Sequence, residues 1–90
     1  MYGKQEPAAP TAALSASDAA LLDGLKELRL SLARERGVPA FVVFHDRTLQ
    51  DMVRRRPTSL DAFAEVHGVG AAKLQKFAAP FLELISGHPD

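Results

Sequence analysis

The sequence predicts an all-α protein, a compact bundle of about five helices. Apolar residues recur at three- and four-residue intervals through most of residues 17–87. Cap-type residues, glycines and prolines punctuate those stretches where helices should start and stop. Only one short segment favours a strand, and no second strand is available to pair with it.

The first helix is expected to open at Ser17 or Asp18, with Asp18 suited to its positive end. Leu21, Leu25, Leu28 and Leu32 form its buried stripe. Leu30 falls on the polar side with Asp23, Lys26, Glu27 and Arg34. Gly37 can take the left-handed position that ends the helix. Val38–His45 is the strand-like segment. Pro39 fits the first position of a short helix, so it reads as a short, mostly buried helix or turn.

Asp46 or Thr48 should cap the next helix, and Thr48 with Asp51 approximates a capping box. Leu49, Met52 and Val53 are its inward face, Arg54, Arg55 and Arg56 close it, and Pro57 stops it. Thr58 with Asp61 repeats the cap pattern for a short helix that turns Leu60, Phe63 and Ala64 inward. Gly68-Val69-Gly70 is a tight turn. The last helix should run from about Ala71 to Ile85 on a stripe of Leu74, Phe77, Ala78, Phe81, Leu82 and Ile85. Pro80 within it predicts a kink near Lys76.

Residues 1–16 are rich in Ala, Pro and Ser, without a periodic apolar face, and read as a flexible linker; residues 88–90 read as a tail. A linker at the start suggests a piece of a longer protein. The 90 residues carry 47% apolar and 24% charged side chains, which argues against a wholly disordered chain. With no cysteine, disulfides and thiolate metal sites are excluded. No apolar run is long enough to span a membrane. Eleven Lys/Arg balance eleven Asp/Glu, so any nucleic-acid binding should be local and weak.

No catalytic constellation is visible. His45, His67 and His88 lack neighbours at metal-ligand spacing, the serines lack an activating context, and no phosphate-binding P-loop is present. No cofactor is expected. The most informative segment is Phe63 to Phe77, in which a short helix, Gly68-Val69-Gly70 and a second helix bearing Lys73 and Lys76 make a helix–hairpin–helix pattern. Glycines allow the sharp turn and the close approach of a phosphate, the free amides of Val69 to Ala71 would point outward, and the lysines add charge. The same pattern would also serve simply to join two packed helices, with Val69 as a plug. Arg54-Arg55-Arg56 is the densest positive run and reads as a solvated helix end before a phosphate patch. Phe41, near Arg36 and Arg47, could stack on an unpaired base; as a core residue it would compete with Phe44 for burial.

Leu21 to Ile85 resembles the HRDC domain, the helicase-and-RNase-D C-terminal module. The resemblance rests on LLDGLKELRLSLA (21–33), VPAFVVFHDRTL (38–49), PTSLDAFAEVHGVGAAKLQKF (57–77) and PFL (80–82). The PAFVVFHDRTL stretch is closer to bacterial RecQ-type DNA helicases than to RNase D. The resemblance implies a five-helix, non-catalytic accessory domain, tethered to an ATP-dependent helicase core outside this chain, in bacterial DNA repair and recombination. It implies a monomer in the bacterial cytoplasm, associated with the nucleoid. The expected partner is single-stranded or branched DNA, held weakly by Gly68, Val69, Gly70, Ala71, Lys73 and Lys76, with Phe41, Arg36 and Arg47 beside them. Relatives often carry tyrosine at the position of Phe41, and the hydroxyl is lost here. The alternative is a protein-docking module that meets the helicase core or another repair protein through Asp23, Glu27 and Leu30.

Overall fold

The computed structural model describes residues 15–88, and the linker expected over residues 1–16 lies, up to residue 14, outside them. Among the described residues there are five helices and no strand: α1 (Ala16–Arg36), α2 (Ala40–Val43), α3 (Asp46–Arg55), α4 (Leu60–Ala64) and α5 (Ala71–Gly87). No helix is long and apolar enough to cross a membrane. Helices α2, α3 and α5 pack on α1, and α4 packs on α5.

Helix α1 opens earlier than expected. Ser15, not Ser17 or Asp18, is the N-cap, its Oγ accepting from the Asp18 amide at 3.1 Å. Asp18 instead accepts from Arg56 at 2.8 Å, which holds its carboxyl below the usual range. Gly37 ends the helix at φ 66°, and the amides of Gly37 and Val38 return to the Arg34 and Ala33 carbonyls. Leu21 and Leu25 are buried, with Leu28 and Leu32 half-buried beside them; Leu30 faces outward, 44% exposed.

The VPAFVVF segment folds as a single helical turn with Pro39 as its N-cap. It is less buried than expected. One turn can direct only one side inward, and Val43 and Phe44 take that side, leaving Phe41 and Val42 exposed. Phe44 forms the aromatic centre of the core, edge-on to Phe63, Phe77 and Phe81 at centroid distances of 6.2, 5.9 and 5.1 Å. The nearly buried Arg29 clamps this junction to α1. Its Nη1 donates to the Phe44 carbonyl at 2.9 Å and meets the Asp46 carboxylate at 2.7 Å.

Two caps expected from the sequence are corrected. Helix α3 opens at His45 without a side-chain cap, and Thr48 and Asp51 are buried within it. Helix α4 is capped by Ser59 rather than Thr58, with Ser59 Oγ accepting from the Ala62 amide. Phe63 and Val66 turn inward from there, which rotates Leu60 and Ala64 into solvent. Helix α5 continues past Ile85 to Gly87 and runs through Pro80 without interruption. Its stripe is as expected: Phe77, Ala78, Phe81 and Ile85 are buried, and Leu74 and Leu82 pack against the core.

Helices α1 and α5 run antiparallel. His88 at the end of α5 meets Ser17 at the start of α1, Leu84 lies beside Gly24, and Phe77 lies beneath Arg36.

Candidate nucleic-acid interface

The hairpin between α4 and α5 is built by backbone constraint first. Gly68 has φ 84°, a conformation that side-chain-bearing residues rarely adopt. A Cβ there would also stand 2.5 Å from the Oγ1 of the buried Thr48, so the turn is seated directly on α3. Val69 is half-buried against the core, and its amide is bonded to the Val66 carbonyl at 3.2 Å. Val69 therefore anchors the turn from beneath, and its amide is not offered outward as the sequence pattern predicts.

The offered amides begin one residue later. Gly70 is the N-cap of α5 and has no side chain to cap with, and nothing lies within 4 Å of where its Cβ would be. Among the described residues the amides of Gly70 and Ala71 have no hydrogen-bond partner, and Gly70, Ala71 and Ala72 are exposed. The corner is thus open in front and filled only behind.

A carboxylate stands behind it. Asp51 is only 6% exposed and accepts three hydrogen bonds: the His67 amide at 2.8 Å, Arg55 Nε at 2.8 Å and Arg54 Nη2 at 2.6 Å. Burial pushes its carboxyl up, but the His67 amide and the two guanidinium groups outweigh this and bring it down to about 2. Asp51 so ties the entry of the hairpin to α3 and consumes two charges of the arginine run. Arg56 is bound to Asp18 and Ser17. The Asp51-Arg54-Arg55 spacing was visible in the sequence as i+3 and i+4 pairs; the bond to the distant His67 amide was not.

Two cations near the start of α5 come from separate helices, Arg36 from the end of α1 and Lys73 from the first turn of α5. Lys73 Nζ lies 5.8 Å from the centroid of the Phe44 ring, and the Arg36 guanidinium lies 4.8 Å from that of Phe77. Phe44 and Phe77 are themselves in edge contact, so the two cations crown adjoining rings of one aromatic cluster. Lys76 is exposed three residues after Lys73, on the same side of α5. The Phe44 and Phe77 rings as seats for these cations were not anticipated from the sequence.

Phe41 is exposed at 57% and stacks on His45 with centroids 5.9 Å apart, so the competition for burial goes to Phe44. Arg47 is exposed in the first turn of α3, without an ion pair among the described residues. Among the described residues no hydrogen bond, ion pair or ring contact joins Phe41 or Arg47 to the hairpin. Asp23, Glu27 and Leu30 are exposed together on the outer side of α1. Among the described residues no group of three His, Asp or Glu is placed to hold a metal ion.

Residues 18–85 match the HRDC domain family, most of the 90-residue chain. The chain belongs to the HRDC family. This HRDC domain is 38% identical over 76 residues to the ATP-dependent DNA helicase RecQ of Pasteurella multocida, covering 84% of the chain but 12% of that protein. It is 43% identical over 71 residues to the ATP-dependent DNA helicase UvrD2 of Mycobacterium bovis, covering 79% of the chain and 10% of that protein. Among solved structures it is similar to HRDC domain 3 of D. radiodurans RecQ, with a TM-score of 0.74 and 38% identity over 77% of this chain and 91% of that one. The all-α HRDC fold expected from the sequence is therefore the fold present. The domain spans about a tenth of the length of these helicases.

Proposed function

We propose that this HRDC domain is a non-catalytic accessory module of a RecQ-type ATP-dependent DNA helicase whose catalytic core lies outside the chain. It tunes DNA substrate choice through weak contacts with single-stranded or branched DNA. The observation that carries this reading is the pairing of Arg36 and Lys73 over the Phe77 and Phe44 rings beside the open start of α5. Backbone phosphate would meet the Gly70 and Ala71 amides with Lys73, Lys76 and Arg36 around them. Gly68 and Val69 act from below by fixing the turn. Phe41 offers a bare ring for stacking, and Arg47 a further charge, on a neighbouring surface.

Few phosphates are engaged, so affinity should be modest and its salt dependence shallow, with a slope of roughly 0.7 per contact for single strands. The test is titration of labelled single-stranded and branched DNA at two salt concentrations, with the wild type and with Lys73→Ala/Lys76→Ala. Wild-type binding that weakens at least about fivefold in the double variant, with a reduced salt slope, is expected. Absence of binding at low salt removes the reading for the isolated domain, and binding indifferent to the double substitution moves the site elsewhere.

A second reading is supported by the zero net charge and by the exposed Asp23, Glu27 and Leu30 on α1: docking on the helicase core or another repair protein. Deleting the domain from its parent helicase, or introducing Leu30→Asp, would then alter ATPase activity or DNA affinity although the isolated domain binds no DNA.

A further inference from the structure

We propose that the groove between the middle of α1 and the C-terminal half of α5 binds a peptide segment of a partner protein in which large apolar side chains are flanked by Lys or Arg. The groove holds about 500 Å³, and its walls include Gly24, Glu27 and Leu28 of α1 and Pro80, Glu83 and Leu84 of α5. Gly24 stands on its α1 wall beside Leu84. A Cβ there would make ordinary contact with Leu84 at 3.5 Å, so sterics do not demand glycine, although glycine is poorly suited to a helix interior. Pro80 contributes a second feature. Its missing N–H leaves the Lys76 carbonyl, one turn back on the same face, without its usual helical donor.

The occupant follows from the charges. Leu28, Leu84 and Pro80 offer apolar contact, and Glu27 and Glu83, one on each wall, form no ion pair among the described residues. Two carboxylates repel phosphate and attract basic side chains. The pattern is an apolar seat between anions, matched by an apolar segment between cations. Glu27 is shared with the docking reading on the outer side of α1, while the other five residues are new to it. The inference uses none of the side chains or amides assigned to DNA, so failure of either leaves the other standing.

The test is titration of the full chain with a short synthetic peptide of leucines flanked by arginines, read by amide chemical shifts. Shifts clustered at Gly24, Leu28, Glu83 and Leu84 are expected, with roughly fivefold weaker binding in Glu27→Gln/Glu83→Gln, as for two exposed ion pairs. Both glutamates are exposed, and an unchanged melting temperature verifies that the variant is folded. A peptide with glutamates in place of the arginines should not bind. The proposal is overturned by absence of groove shifts, by equal binding of the acidic peptide, or by equal binding of the double variant. It is also overturned if single-stranded DNA moves the same amides, or if they move with protein concentration alone, which would assign the groove to nucleic acid or to a second copy.

Discussion

Arg54, Arg55 and Arg56 follow one another at the end of α3, and each is drawn onto a carboxylate, the first two onto Asp51 and the third onto Asp18. Arg36 and Lys73 come from different helices, α1 and α5, and rest on phenylalanine rings instead. A ring face orients a cation without neutralising it, whereas a carboxylate does both. The denser positive run therefore ties elements of the fold together, whereas the scattered pair is left without a carboxylate partner among the described residues, as the proposed DNA contact requires.

The largest expected effect comes from cutting the anchor of the arginine run. Asp51→Ala leaves the His67 amide without its partner and two guanidinium groups without a counter-charge. A loss of about 3 kcal/mol in urea unfolding is expected; a loss below the error of the measurement would show that the carboxylate does not hold the hairpin. Gly68→Ala comes next, at about 2 kcal/mol, from the left-handed backbone and the collision with Thr48. Equal stability of this variant would contradict the seating of the turn on α3.

Acid supplies a third measurement without mutation. The Asp51 carboxyl titrates at about 2 in the folded domain and at 3.8 in its ordinary state, so the unfolded chain takes up the proton first. Stability from this group is present above pH 4 and is lost as pH falls towards 2, on the order of 2 kcal/mol. The acid-dependent loss should be smaller in Asp51→Asn, compared by chemical unfolding at pH 5 and pH 2.5. The smallest effect sharpens the contrast most. Arg36→Gln should lower affinity for single-stranded DNA roughly threefold, and Arg54→Gln by less than about 1.5-fold, in the same titration. A reversal of that order would return the role to the arginine run.

Local signals in the sequence carried much of the fold. The leucine spacing placed α1, Gly37 ended it at the residue named, and the Phe77–Phe81–Ile85 stripe is the buried face of α5. Caps shifted where several candidates lay side by side, as with Ser15 against Ser17 and Ser59 against Thr58, because any of them can accept from the first free amides. The hairpin was legible from its glycines, but which amides it frees was not, since that depends on the Val69–Val66 bond. Asp51 read as a cap because its i+3 relation to Thr48 is local. Its bond to His67 is tertiary and leaves no periodic trace. The seat of Lys73 likewise depends on which phenylalanine wins the core, and spacing alone did not decide between Phe41 and Phe44.

The bond from His88 Nε2 to the Ser17 carbonyl, at 3.0 Å, places the two ends of the bundle side by side. Whatever is fused to either end leaves from the same pole. The free start of α5 lies a helix length away, about 25 Å at 1.5 Å per residue. A parent protein attached at that pole would carry the domain as a pendant on a single pivot, with the start of α5 swung outward and its near end kept against the anchorage.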